Sequence, residues 1–198
     1  KSFLEGFVQY MTETKSRRTN RPFGKKTISN LLACIIAALG VAVEEGVLSF
    51  NPAEAVDRKA IQGEKKKREY LTIDEVRRLI DTPCTREDVK KAFLFSCFCG
   101  LRISDLENLR WKHIIKNNGK WQVEITQFKT GVQLYLPLNK NARKWLPEQS
   151  GATADTPVFP KLNRAYKTAL CDWVKEAGIH KHVCFHTSRH TFATLALT

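Results

Sequence analysis

Gly100-Leu101-Arg102-Ile103-Ser104-Asp105-Leu106-Glu107-Asn108-Leu109 is the stretch from which the rest of the chain can be read. It sets an arginine just after a glycine, at the mouth of a helix, between apolar neighbours whose pattern calls for burial. A guanidinium held there loses solvation unless an anion or a carboxylate pairs with it. Asp105, one helical turn on, is the local candidate, and a purely structural Arg102–Asp105 pair accounts for this stretch taken alone. Gly100 also closes what precedes it, a helix predicted from about Asp88 to Cys99, and a further helix is predicted from Ser104 to Leu109.

Downstream, Trp121 to Thr126 and Val132 to Pro137 alternate with period two on either side of Thr130-Gly131. This predicts a hairpin with Lys129 at or beside its turn. Asn139 to Trp145, Asn163 to Ala177 and Thr187 to Leu197 read as helices. Phe185-His186-Thr187-Ser188-Arg189-His190-Thr191-Phe192-Ala193-Thr194 places His186 and Arg189 three residues apart, hence on one helical face. Together they suit an oxyanion, since arginine offers a planar fork to two oxygens and imidazole donates or shuttles a proton. His190 is expected to point elsewhere, as a packed or capping histidine.

Upstream, Thr72 with Glu75 three residues on forms a capping box that opens a helix through Ile80. Ile28, Leu31, Leu32, Ile35, Ile36 and Leu39 share one helical face with Thr27 as N-cap, and Phe3, Phe7, Val8 and Met11 mark an earlier helix. The fold class is therefore mainly α with a small antiparallel β-sheet. Asn51-Pro52 punctuates the chain before a basic run. The domains expected are a helical module over 1–57, a basic linker over 58–69 and a second domain over 70–198.

The 198 residues carry 33 Lys plus Arg against 20 Asp plus Glu, a formal net charge of +13. With 42% hydrophobic and 27% charged residues the composition is that of a globular protein, which excludes collagen-like and wholly disordered readings. Charge this positive points to a polyanion. Its distribution is uneven: residues 1–57 are near neutral at +1, the linker carries +4 and the second domain +8. Within the first segment Lys15, Arg17, Arg18, Arg21, Lys25 and Lys26 form an acid-free basic face. Arg58, Lys59, Lys65, Lys66, Lys67 and Arg68 fill the linker, so the runs fit a clamp closing on a phosphate backbone as well as they fit solvated surface.

The apolar stretch from Ile28 to Val43 is broken by Ser29, Asn30 and Gly40 and meets Glu44 and Glu45. It is expected to be a buried helix and not a membrane span. No signal-peptide pattern opens the chain, and no amphipathic basic anchor supports a membrane partner. Cys34, Cys84, Cys97, Cys99, Cys171 and Cys184 contain no CxxC pair and read as reduced thiols of a cytosolic protein. The single methionine, Met11, implies an initiator further upstream.

The order Gly100-Leu101-Arg102 with Ser104-Asp105-Leu106, then Lys129 in a hairpin, then His186-x-x-Arg189-His190-Thr191-Phe192-Ala193-Thr194, resembles the tyrosine recombinases, also called the phage integrase family. Asn51-Pro52-Ala53 closing one module and Tyr70-Leu71-Thr72 opening the next resemble that family's passage from its SAM-like core-binding domain to its catalytic domain. The likeness covers nearly the whole chain and leans toward integrases of bacterial mobile elements. It implies site-specific DNA breakage and rejoining through a 3′-phosphotyrosyl intermediate, without metal or other cofactor. Arg102 and Arg189 match the two arginines that stabilise the phosphorane. Lys129 matches the lysine that protonates the leaving 5′-oxygen, His186 the histidine that assists proton transfer, and Asp105 an acidic supporting position.

The resemblance further implies double-stranded DNA as partner and a tetramer on two DNA sites. Accessory DNA-bending proteins and a bacterial cytoplasmic, nucleoid-associated location follow from it too. The family's nucleophilic tyrosine lies well beyond the His-x-x-Arg motif, whereas Tyr10, Tyr70, Tyr135 and Tyr166 all precede it and none matches. The expectation is a fragment truncated at both ends that binds DNA without cleaving it. Ser188 stands where the family often has an apolar residue. Three other readings compete: a zinc site from His180, His182, Cys184 and His186, a non-enzymatic sequence-specific DNA-binding regulator, and a type IB topoisomerase.

Overall fold

A computed structural model of the protein describes residues 2–62, 68–162 and 165–197. It divides the chain into two compact units, residues 1–66 and 67–198.

The first unit is helical. Helix α1 spans Ser2–Glu13 and α2 spans Lys25–Glu44. Leu4, Val8 and Met11 of α1 are buried with Ile28 and Leu32 of α2 and with Ala53, Val56 and Ile61 from the irregular segment that follows. The second helix starts earlier than the pattern indicated: Gly24, not Thr27, is its N-cap, with the Gly24 carbonyl accepting from the Thr27 and Ile28 amides. The expectation that this helix is buried is also corrected. Only Ile28 and Leu32 are buried, while Leu31 and Val41 stay 40% and 50% exposed. By length and apolarity it would suffice to cross a membrane, with mean hydropathy 1.9 over eighteen residues. What keeps it exposed here is the size of its surroundings, since α1 and residues 53–61 cover one side of it.

In the second unit α3 (Ile73–Asp81) opens on the predicted capping box. The Glu75 amide donates to Thr72 Oγ1 at 3.2 Å and the Thr72 amide to Glu75 Oε2 at 2.7 Å. Helix α4 (Glu87–Cys99) stops at Gly100, whose φ of 72° lies in the left-handed region that glycine tolerates best. A short α5 (Ile103–Glu107) follows. The sheet holds one strand more than the predicted hairpin: β1 (Ile114–Asn117), β2 (Lys120–Thr126) and β3 (Gln133–Pro137), antiparallel in that order. The signal for β1 is Asn118-Gly119, both with positive φ, the pair that favours a tight two-residue hairpin turn. Helices α6 (Lys140–Lys144), α7 (Tyr166–Glu176) and α8 (Phe185–Leu195) complete the unit.

Helix α4 runs through the core, with Phe93, Leu94, Phe95 and Cys97 essentially inaccessible. Phe93 meets Trp173 and Phe185 edge to face at 6.0 and 5.5 Å, and Tyr166 meets Phe185 at 5.4 Å. Aromatic pairs of this geometry add to area burial. Lys90 is buried as well, and its ammonium donates to the carbonyls of Ile80 and Thr82 at 2.7 and 2.8 Å.

Candidate functional site

The two arginines of the sequence motifs come from segments that pack on each other. Arg102 sits at the N-cap of α5, two residues past the glycine that ends α4, and Arg189 lies on α8. The Arg189 Nη1 donates to the Gly100 carbonyl at 2.7 Å, so its head is tied to the loop that carries Arg102. A β-carbon on Gly100 would overlap the Phe192 ring, which shows how closely α8 approaches that loop. Behind the arginines two buried hydroxyls meet: Ser96 Oγ and Ser188 Oγ lie 2.6 Å apart. Each hydroxyl has one proton, so one serine donates across the pair while the other donates to a carbonyl, Ser96 to that of Leu101 or Ser188 to that of Phe185. Ser188 thus finds its polar partner on the facing helix.

Arg102 is half-buried and keeps two oxygen partners. Its Nη1 donates to Gln127 Oε1 at 2.9 Å and lies 3.9 Å from Asp105 Oδ2. Asp105 is fully buried; its Oδ1 accepts from the Phe128 amide at 3.1 Å, while its Oδ2 has no hydrogen-bond partner. The local Arg102–Asp105 pair is therefore a charge contact, and the hydrogen bond goes to Gln127. Gln127 Oε1 also accepts from Thr130 Oγ1 at 2.8 Å. Lys129 is exposed in the turn that these contacts fasten to the arginine. Sequence reasoning missed Gln127, because its role exists only once the hairpin folds back onto α5.

His186 is exposed on the first turn of α8, and Arg189 follows one turn later. The expectation for His190 is corrected: its ring meets that of His186 edge to face, centroids 4.6 Å apart, because residues four apart share a helical face. Burial, then the nearby His186, Arg68 and Arg189, push the His190 pKa below the ordinary imidazole value. Cys99, beside this site, is pushed up to about 12 by burial, which outweighs the Leu101 amide and Arg189, and it is a packing residue and not a nucleophile.

Among the described residues no group of three or more His, Cys, Asp or Glu is arranged to hold a metal ion, so His180, His182, Cys184 and His186 do not converge as a zinc site. A cavity of about 570 Å³ is lined by Tyr70, Leu71, Phe98, Phe192 and Leu195 among others, but by none of Arg102, Lys129, His186 or Arg189. The basic residues Lys15, Arg17, Arg18, Arg21, Lys25 and Lys26 are all exposed. They lie on a tight connection, bridged between Lys15 and Pro22, that leads into α2. Lys25 and Lys26 occupy the first turn of that helix, where positive charge opposes the helix dipole and an anion relieves it. Arg68 is exposed, whereas Lys65, Lys66 and Lys67 lie outside the described residues.

A helical module is thus followed by a mainly α unit with one small sheet, in which Arg189 is bonded to the loop of Arg102 and the hairpin turn is bonded to Arg102 through Gln127. The chain belongs to the phage integrase family: residues 69–197 match that family, and residues 1–71 match the phage integrase SAM-like domain. It is 31% identical over 163 residues to the tyrosine recombinase XerC of Pelobacter propionicus, which covers 75% of this chain and 52% of that protein. The chain thus spans about half the length of such relatives. Its fold is that of the Tn1549 transposon integrase (residues 82–397) in complex with circular intermediate DNA, at TM-score 0.69 and 18% identity, covering 99% of this chain and 72% of that one. It also matches lambda integrase in a tetramer bound to a Holliday junction, at TM-score 0.60 and 20% identity, over 98% and 57% of the two chains.

Proposed function

We propose that this chain is part of a site-specific DNA recombinase or integrase that breaks and rejoins double-stranded DNA through a phosphotyrosyl intermediate. The observation that carries the reading is the packing of the Arg102 loop against α8, where Arg189 is bonded to the carbonyl of Gly100. Two guanidinium groups on abutting segments suit a phosphate whose charge grows in the transition state. Lys129, in a turn fastened to Arg102 through Gln127, is assigned the proton for the leaving 5′-oxygen, and His186 assists proton transfer. Asp105 holds the turn and faces Arg102, and is a positioning residue.

None of Tyr10, Tyr70, Tyr135 or Tyr166 is assigned the attack. Tyr166, for one, is packed against Phe185 and its hydroxyl is pushed up by burial. The exposed basic residues before α2, together with Arg68 and Lys65 to Lys67, are assigned to the DNA backbone. The first unit serves in this reading as the core-binding domain, the basic stretch as its strap and the second unit as the catalytic domain. Assembly as a tetramer on two DNA sites, accessory DNA-bending proteins and a nucleoid-associated cytoplasmic location belong to the same proposal.

The test is a nicked suicide duplex incubated with the protein extended to the length of its relatives. A covalent adduct is the expected result, reduced about 10²–10³-fold or more by Arg102→Ala or Arg189→Ala while much of the DNA affinity remains. Absence of any adduct would leave a DNA-binding regulator, and relaxation of supercoiled DNA without a specific site would indicate a topoisomerase.

A further inference from the structure

The turn between β2 and β3 carries an aromatic side chain that the phosphate chemistry leaves unused. Phe128 is 74% exposed, and Val132 in the same connection is 58% exposed. Single apolar side chains on a surface are ordinary. Phe128 differs because of how its backbone is held. Its amide donates to Oδ1 of Asp105, a fully buried carboxylate whose other oxygen faces Arg102 at 3.9 Å. One carboxylate therefore fixes both the aromatic residue and the arginine.

The turn is closed around it. The Gln127 amide donates to the Val132 carbonyl at 2.8 Å and the Gly131 amide to the Gln127 carbonyl at 2.9 Å. Gln127 reaches Arg102 on one side of Phe128, and exposed Lys129 stands on the other. An exposed ring on a backbone fixed between Gln127, which bonds Arg102, and Lys129 makes a mixed surface. That surface complements a nucleotide, whose phosphate lies beside a flat apolar base.

We propose that Phe128 packs its ring against the base step flanking the phosphate that Arg102 and Arg189 hold, so that this turn grips the nucleotide as well as its charge. The inference rests on the DNA reading above. Apolar wedges against base steps are a known way for proteins to hold and deform duplexes. Because every base presents a π-face, the effect does not require the natural target sequence.

The test compares this chain with its Phe128→Ala and Phe128→Trp variants on a mixed-sequence DNA duplex and on heparin, a polyanion without bases, over a range of salt. Phe128→Ala is expected to weaken duplex binding about 5- to 100-fold. Its salt dependence should match wild type, since no phosphate contact is lost. Heparin binding should be unchanged, and Phe128→Trp should restore duplex affinity. Circular dichroism of each variant checks the fold. An alanine variant that binds duplex like wild type, or that loses equally on heparin, overturns the proposal. A wild-type chain that does not bind the duplex at any salt overturns the DNA reading itself and this inference with it.

Discussion

Helices α2 and α4 are both rich in apolar residues, yet they are used in opposite ways. In α4 nine of thirteen residues are buried, lysine and serine among them. In α2 only Ile28 and Leu32 of twenty are buried. The more continuously apolar helix is the more exposed one. Apolar composition says what a helix tolerates, and the elements packed around it decide what is used. Helix α4 is surrounded within the second unit, with α8, α7 and α6 against it, while the first unit offers α2 one partner helix and a short irregular segment.

The sharpest way to break this contrast is to truncate the centre of α4. Phe93→Ala removes the ring between Trp173 and Phe185 and should cost about 3–5 kcal/mol. All four tryptophans lie in the second unit, so their emission during denaturant unfolding reports that unit alone. Gly100→Ala follows at about 2–4 kcal/mol, because the new methyl meets Phe192 and the backbone is left-handed. A loss below 0.5 kcal/mol would show that α8 can withdraw from the loop. Ser188→Ala leaves Ser96 without its facing hydroxyl and should cost about 1–3 kcal/mol in the same measurement.

A smaller effect concerns acid. Burial alone would raise the Glu75 carboxyl, but the hydrogen bonds from Lys181 and the Thr72 amide outweigh it and hold the group below its ordinary value. A carboxyl lowered in the folded state binds fewer protons than the unfolded chain. Its stabilisation is therefore present above the ordinary glutamate pKa and is lost as pH falls through the lowered one. Glu75→Gln should flatten the acid limb of stability of the second unit, and an unchanged limb would remove Glu75 from it. The smallest effect is expected on α2, where Leu31→Gln should change helix unfolding followed by circular dichroism by no more than about 0.5 kcal/mol. A larger loss would mean that this face is covered in solution.

The same contrast explains what was legible in the chain. The Thr72–Glu75 box and the Gly100 stop were readable because a helix end is written in a few adjacent residues. Arg102, Lys129, His186 and Arg189 were nameable from motif order, and the fold bonds Arg189 to the loop of Arg102 and Arg102 to Gln127 in the hairpin turn. Gln127 and the Ser96–Ser188 contact were not readable, since they depend on which elements touch. Asn118-Gly119 is legible as a turn, and strand β1 is written only in its company. His190 was misplaced although its spacing from His186 already put the two on one face. The exposure of α2 depends on the size of its surroundings, which periodicity does not encode.

The Leu71 amide, at the very start of the second unit, donates to Thr191 on α8, 120 residues away in sequence. Phe185 and Phe192 of the same helix fill the aromatic cluster and cover Gly100. During synthesis, then, the ribosome must release α8 before the beginning of this unit can be closed. At some 5–20 residues per second the preceding hundred-odd residues wait several seconds with their core unsealed. The loop that carries Arg102 therefore waits for Arg189, which reaches the Gly100 carbonyl only once α8 has emerged.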